Sequence, residues 1–219
     1  DENVRPPSGG TGTQVFYMYL GGPGPFLLSG SSYRQFGPRV SGSRVVYCDQ
    51  RHGSANQDIY VVDLASGAEQ PVSTEPGEQI MPDIDGDWVV FVDNRDYVLG
   101  RPRVNDIFAK NVVTGELRRL TSDSGSVHQD SPRISGSRVV WHEWKSDNII
   151  LCDLDSGEQR QIASGTGASL DIEGDIVVWV QGGEVHLYDI STGISQQVSG
   201  NGDALVYHPA VSAGHIVWT

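Results

Sequence analysis

The chain has 219 residues, 37% of them hydrophobic and 20% charged, a balance that suits a globular fold and is long enough for one large all-β domain. Its formal net charge of −13 argues against a nucleic-acid partner, because phosphate binding draws on clustered Lys and Arg, and an anionic membrane would repel it. Apolar runs such as IVVWV, Ile176 to Val180, are about five residues long against the roughly 20 of a membrane-spanning helix, so no membrane insertion is expected.

Residues 1–13, DENVRPPSGGTGT, are polar, rich in Pro and Gly, and read as a linker. They carry neither a starting Met nor an apolar signal core, as in a processed secreted protein or an excised domain. Gln14 to Gly30, QVFYMYLGGPGPFLLSG, predicts two strands joined by a Gly/Pro turn. At Pro38 begins a phrase, PRVSGSRVVY, that returns as PDIDGDWVVF at Pro82, PRISGSRVVW at Pro132, LDIEGDIVVW at Leu170 and PAVSAGHIVW at Pro209. The spacings of 44, 50, 38 and 39 residues match the period of a four-stranded propeller blade. Each copy pairs an apolar strand with a β-branched run across a short Gly turn, which makes it a hairpin of strands a and b.

A second phrase follows the first four hairpins: DIYVVDLASG from Asp58, DIFAKNVVTG from Asp106, NIILCDLDSG from Asn148 and EVHLYDISTG from Glu184. With the short strand after each turn, these supply strands c and d. The chain therefore predicts an all-β, five-bladed propeller of antiparallel meanders over residues 14–219. Four blades span 34–75, 79–123, 128–165 and 166–200. The fifth joins strands c and d from 14–30 to strands a and b from 203–219, so that neither end leaves an open sheet edge. Cys48 and Cys152 both fall in apolar strands and read as free, buried thiols.

The sequence P-x-I-S-G-x-x-V-V-W, then D-I-Y-x-x-D-L-x-T-G, then a short strand ending L-T, resembles the TolB-like propeller repeats of bacterial and archaeal envelope and surface proteins. The resemblance covers the chain from Gln14 to Thr219. It implies a secreted, periplasmic or cell-surface location. Such repeats serve protein-docking modules, peptidase gating domains and a few lyases, so they specify fold more than function.

The a–b and c–d turns are tight and share one face of the disc, whereas the b–c and d–a connections are longer, differ between blades and share the other. Variable loops on a rigid scaffold are where binding concentrates, and the second face is the candidate surface. Its longest loop, Val92 to Asp106, carries Arg95, Arg101, Arg103 and Tyr97 in an acidic protein. That is either a basic arm for a carboxylate-bearing partner or a solvated loop whose arginines pair with nearby acids. The candidate ligand set is Phe36, Arg51, Met81, Arg95, Tyr97, Arg101, His128, Trp144, Tyr207 and His208, for a protein or glycan ligand at the channel mouth. No catalytic residue, cofactor or metal is assigned, and a monomeric domain, alone or within a larger surface protein, is expected.

Three competing readings are weaker. His128, Asp130 and His208 with His142 could hold a metal, but the closely spaced His pairs of the metal-binding lyases that resemble this chain are missing. DIDGD and DIEGD look like calcium loops but occupy positions where other copies read RVSGS and RISGS, so they are hairpins first. A polysaccharide hydrolase or lyase would need channel-mouth carboxylates or histidines at a defined separation, and the acids recur at repeat-equivalent positions as structural residues do. Finally, the second residue of strand a alternates in sign: Arg39, Asp83, Arg133, Asp171, then Ala210. Ion pairs of Arg39 with Asp83, and of Arg133 with Asp83 or Asp171, are expected; the alternative is that these side chains face channel solvent, where a water or anion sits.

Overall fold

The structure is a computed structural model that describes residues 12–96, 104–121, 128–164, 169–199 and 206–219; the expected linker lies almost wholly outside them. Among the described residues every regular element is a strand. A short hairpin, β1 (Phe16–Tyr17) and β2 (Phe26–Leu27), precedes four antiparallel four-stranded blades. Blade 1 is β3 (Gln35–Ser41), β4 (Arg44–Asp49), β5 (Asp58–Asp63) and β6 (Ala68–Ser73). Blade 2 is β7 (Gln79–Asp85), β8 (Trp88–Asp93), β9 (Asp106–Asn111) and β10 (Leu117–Arg119). Blade 3 is β11 (Gln129–Ser135), β12 (Arg138–Glu143), β13 (Asn148–Asp153) and β14 (Gln159–Ser164). Blade 4 is β15 (Leu170–Glu173), β16 (Ile176–Gln181), β17 (Glu184–Asp189) and β18 (Ile194–Gln197), and a last hairpin, β19 (Ala210–Ser212) and β20 (His215–Val217), follows.

The two repeated phrases fold as they do for local reasons. In the a–b turns Gly42, Gly86, Gly136 and Gly174 take φ of 56°, 56°, 60° and 56°, the left-handed first position of a two-residue hairpin turn, where a Cβ would be strained. In the c–d turns one side-chain oxygen caps the loop. Asp63 Oδ1 accepts the amides of Ala65 and Ser66, and Asn111 Oδ1 those of Val113 and Thr114. Asp153 Oδ1 accepts those of Asp155 and Ser156, and Asp189 Oδ1 those of Ser191 and Thr192. The D-L-x-S-G wording is thus an Asx turn closed by a left-handed glycine.

Strands β4, β8, β12 and β16 are apolar on both faces because each lies between two blades. Val46, Ile59 and Val61 pack on Val89, Phe91 and Phe108; Val90 and Ile107 on Val139 and Trp141; Val140 and Leu151 on Val177 and Trp179. Burying each such valine contributes about 1.5–3 kcal/mol. Both cysteines are free and buried, and burial pushes the Cys48 thiol up to about 12.

A second seam runs along the inner hairpins, where the last residue of each strand a accepts the turn amide of the following blade. Ser41 Oγ takes Gly86 N at 3.1 Å, Asp85 Oδ2 takes Gly136 N at 2.6 Å, Ser135 Oγ takes Gly174 N at 2.9 Å and Glu173 Oε2 takes Ala213 N at 2.6 Å. Serine and carboxylate do the same job here, so the DIDGD and DIEGD acids are consumed as clips between blades.

The terminal hairpins form two separate two-stranded sheets, and no backbone hydrogen bond joins them among the described residues. The expected mixed fifth blade is therefore not shown as one continuous sheet among the described residues. β1 has only two ladder residues before a Gly/Pro-rich turn, which limits what it can offer a neighbour. The N-terminal hairpin buries Val15 and Leu28 against Val45, Tyr47, Tyr60 and Val62 of blade 1.

Candidate functional site

Strand a of blades 1, 2 and 3 carries a bulge just before the repeat's second residue. The ladder shifts register between Phe36 and Arg39, between Ile80 and Asp83, and between Asp130 and Arg133. The inserted residue adopts a left-handed backbone: Gly37 at φ 61°, Met81 at 53°, Ser131 at 52° and, in the last hairpin, His208 at 50°. Only glycine is at ease there, so Met81, Ser131 and His208 each carry strain on the order of 1–3 kcal/mol, of the kind that clusters at binding sites. All four stand immediately before a proline, Pro38, Pro82, Pro132 and Pro209.

These bulges border two cavities on the axis. The larger, about 700 Å³, is lined by Arg39, Asp83, Ser131, Arg133, Asp171 and His208 among others. The smaller, about 420 Å³, shares Arg39, Ser131 and Arg133 and adds the apolar side chains of Phe36, Ile80, Met81 and Pro82. Of the candidate ligand residues, Phe36, Met81 and His208 are thus brought together around the channel. Phe36 lies under the Arg34 guanidinium, 5.0 Å from ring centroid to Cζ, and the His208 ring is 6.4 Å from that of Tyr207.

The alternating charges do not pair as a simple ring. Arg39 Nε lies 3.7 Å from Asp83 Oδ1. Arg133 makes no contact ion pair with either expected partner; its Nη1 donates to Pro132 O at 2.9 Å. The reason is that both carboxylates hold the next blade's backbone: Asp83 Oδ2 accepts Ile134 N at 3.0 Å, and Asp171 Oδ2 accepts Val211 N at 2.9 Å. Burial raises the Asp83 carboxyl above its ordinary range despite that amide and the two arginines, and burial lowers Arg133.

Arg51 and Arg95 occupy matching places at the outer edge of the same face; Arg51 is held inside its own blade, and Arg95 is held by its own blade and by Ser73 Oγ of blade 1 at 3.2 Å. Arg51 bonds Asp49 at 2.9 Å and Glu69 at 2.7 Å, with Cζ 3.7 Å from the Tyr60 ring centroid. Arg95 bonds Asp93 at 2.6 Å with Cζ 4.5 Å from the Phe108 centroid. Asp49 and Asp93 are fully buried in this arrangement, and the bonds from Arg51 and Gln35 outweigh burial to hold Asp49 below the usual carboxylate range. This D-x-R clasp over an aromatic of strand c is a signal that alignment of the copies contains. Tyr97, Arg101 and Arg103 lie outside the described residues.

Trp144 is 63% exposed, yet its indole is fixed by a 2.5 Å hydrogen bond from Nε1 to Asp130 Oδ2, and its amide donates to His128 O. Behind it, His142 is buried between two carboxylates, with Nδ1 3.3 Å from Asp130 Oδ1 and Nε2 2.8 Å from Asp147 Oδ1. Both imidazole nitrogens thus face an acid, which leaves neither for a metal. Among the described residues no group of three or more His, Cys, Asp or Glu side chains is arranged to hold one. Burial opposes the imidazolium, but the bonds from Asp130 and Asp147 prevail and raise His142 above the ordinary histidine range. His142 stands where the other blades place Cys48, Val92 and Val180, and that disagreement is what points to it in the sequence.

Comparison with solved structures gives propellers of the TolB-like and related kinds. TolB from Acinetobacter baumannii superposes with a TM-score of 0.58 at 17% identity, over 89% of this chain and 53% of that one. An oligogalacturonate lyase solved with manganese gives 0.62 at 14% identity, over 86% and 60%. A prolyl endopeptidase gives 0.66 at 13% identity, over 89% and 34%. The chain spans about half to three-fifths of the length of the first two. No family model and no curated protein sequence matches it. At these identities the likeness is one of fold: the chain is an all-β protein of propeller blades.

Proposed function

We propose that the protein is a noncatalytic recognition or scaffold module of a secreted, periplasmic or cell-surface protein. It binds a protein or carbohydrate on the face of the b–c and d–a loops, centred on the channel mouth. The observation that carries this reading is the set of exposed large side chains on the b–c and d–a connections: Met81 at 46% exposure, which lines an axial cavity, Tyr207 at 52%, next to the cavity-lining His208, and Trp144 at 63%. Trp144 in particular is held in one orientation by Asp130, so it can stack on a ligand at little entropic cost. The hydrolase reading loses support because Asp83 and Asp171 are engaged by backbone amides. Glycan and protein arrays probed with the chain and with a Trp144→Ala/Tyr207→Ala double variant test the proposal. Loss of about tenfold or more in affinity for whatever ligand is captured is expected, and an unchanged profile would remove this face from consideration.

We also propose that the ring has five blades, closed by β20 lying beside β1. The inner seam already continues from Glu173 into the last hairpin, and the edges that closure would cover include Phe16, Val217 and Trp218, at 48%, 62% and 42% exposure. In a closed ring Trp218→Ala costs as much as the equivalent buried Trp179→Ala, about 3–5 kcal/mol in urea unfolding. A cost below about 1 kcal/mol would mean that β20 is an open edge.

A further inference from the structure

The two axial cavities share one wall and differ in chemistry. On that wall Arg133 uses one of its five N–H donors, Nη1 to Pro132 O, and no carboxylate contacts it among the described residues. The hydroxyl-bearing Ser131, in its left-handed bulge, lies beside Arg133 in both cavities. On one side the wall continues into a mixed chamber with Asp83, Asp171 and His208; on the other it continues into Phe36, Ile80, Met81 and Pro82, and Arg39 lines both. A guanidinium between a chamber lined by charged side chains and an apolar one is suited to a ligand with an anionic head and a hydrophobic body.

We propose that the channel is a binding site for a small monocarboxylate with an apolar tail, its carboxylate on the fork of Arg133 with help from Arg39 and Ser131, its tail against Phe36, Ile80, Met81 and Pro82. The planar fork matches a carboxylate with two parallel hydrogen bonds. Charge selects a monoanion over phosphate: Arg39 and Arg133 are balanced by Asp83 and Asp171, so a dianion would bring two negative charges beside two carboxylates already in place. The raised Asp83 carboxyl and the lowered Arg133 both fit a cavity whose arginine lacks a contact partner. This site lies on the axis and does not require that the loop face bind anything.

The test is a titration of the 219-residue chain with acetate, hexanoate and inorganic phosphate at constant ionic strength, following the arginine Nε–Hε resonances by NMR. Saturable shifts of Arg133 are expected with both carboxylates, and hexanoate should bind about tenfold or more tightly than acetate because its methylenes leave water. Arg133→Lys, which keeps charge but loses the fork, should weaken hexanoate by about tenfold, while Arg160→Gln, remote from the channel, should leave it unchanged. Arg133→Gln should abolish saturation; should that variant unfold by circular dichroism, the Arg133→Lys and wild-type titrations decide alone. Shifts that rise linearly without saturation, phosphate binding tighter than hexanoate, or hexanoate affinity unchanged in Arg133→Lys would each overturn the proposal.

Discussion

Replacing His142 by valine, the residue that Val92 and Val180 supply at the same place, should remove a pH-dependent part of the protein's stability. His142 is 4% exposed and lies between Asp130 and Asp147. Asp130 acts on Nδ1 through a 3.3 Å ion-pair contact without hydrogen-bond geometry, on the order of 4 kcal/mol of attraction before desolvation, while Asp147, hydrogen-bonded to Nε2 but 49% exposed, adds the about 0–1 kcal/mol of a surface pair. Desolvation of the imidazolium offsets much of this, so the net is about 1–3 kcal/mol, or about 2–12 °C in Tm for a chain of this size. The folded pKa is raised, so this stability is fully present below the unfolded histidine value, about 6.5, and is lost as pH rises through the folded value. Scanning calorimetry of wild type and His142→Val from pH 6 to pH 9 should show the Tm difference shrinking, or changing sign, as pH rises. A difference that is constant across that range, or that grows with pH, would refute the assignment of the charge to His142.

Asp85→Ala should cost about 1–3 kcal/mol in urea unfolding, because Asp85 holds Gly136 N and Ser41 Oγ across two blade boundaries, whereas Asp87→Ala, a half-exposed partner of Arg44, should cost no more than about 1 kcal/mol; equal costs would contradict the inner seam. The amide of Ser156 and its hydroxyl hold the Asp153 carboxyl below its usual range, so its contribution is present above about pH 3.9 and fades as pH falls through the lower folded value. Asp153→Asn should keep the turn, as Asn111 does in blade 2, and flatten that acid limb; an unchanged acid limb would count against the Asx turn. Neither thiol should react with Ellman's reagent in the native state, given that Cys48 and Cys152 are 1% and 2% exposed; rapid reaction without denaturant would show that the strands around them open.

The blades were legible in the sequence because each repeated word answers a backbone demand. The glycine of S-G-S or D-G-D supplies a left-handed turn position, and the Asp or Asn at the sixth residue of the second phrase supplies the Asx oxygen. The double-sided strands were legible from their unbroken valines. What the sequence concealed is geometry that residue type does not constrain. The proline of the repeat marks the bulge, but nothing in Met81, Ser131 or His208 announces a left-handed backbone, which those residues adopt only because the surrounding ladder overrules their preference. Arg51 and Arg95 looked available for a ligand because loop arginines usually are; the preceding aspartates and the aromatics of strand c, Tyr60 and Phe108, draw them into the blade.

The alternation of Arg39, Asp83, Arg133 and Asp171 has a cause that an ion-pair ring misses. A carboxylate at this position can accept the next blade's amide, as Asp83 does from Ile134 and Asp171 from Val211, and a guanidinium cannot. The aspartates are therefore committed to the wall, and the arginines are left to the channel. Arg39 reaches back to Asp83 at 3.7 Å, a loose contact with a carboxylate already occupied, and Arg133 makes no contact ion pair among the described residues. Equivalent positions in a repeat thus divide into structural and chemically available ones according to whether the side chain can accept a hydrogen bond. By that rule a carboxylate in place of Arg133 would be drawn toward Ile172 N of blade 4, as Asp83 is toward Ile134 N, and the channel would lose a guanidinium while gaining a clip.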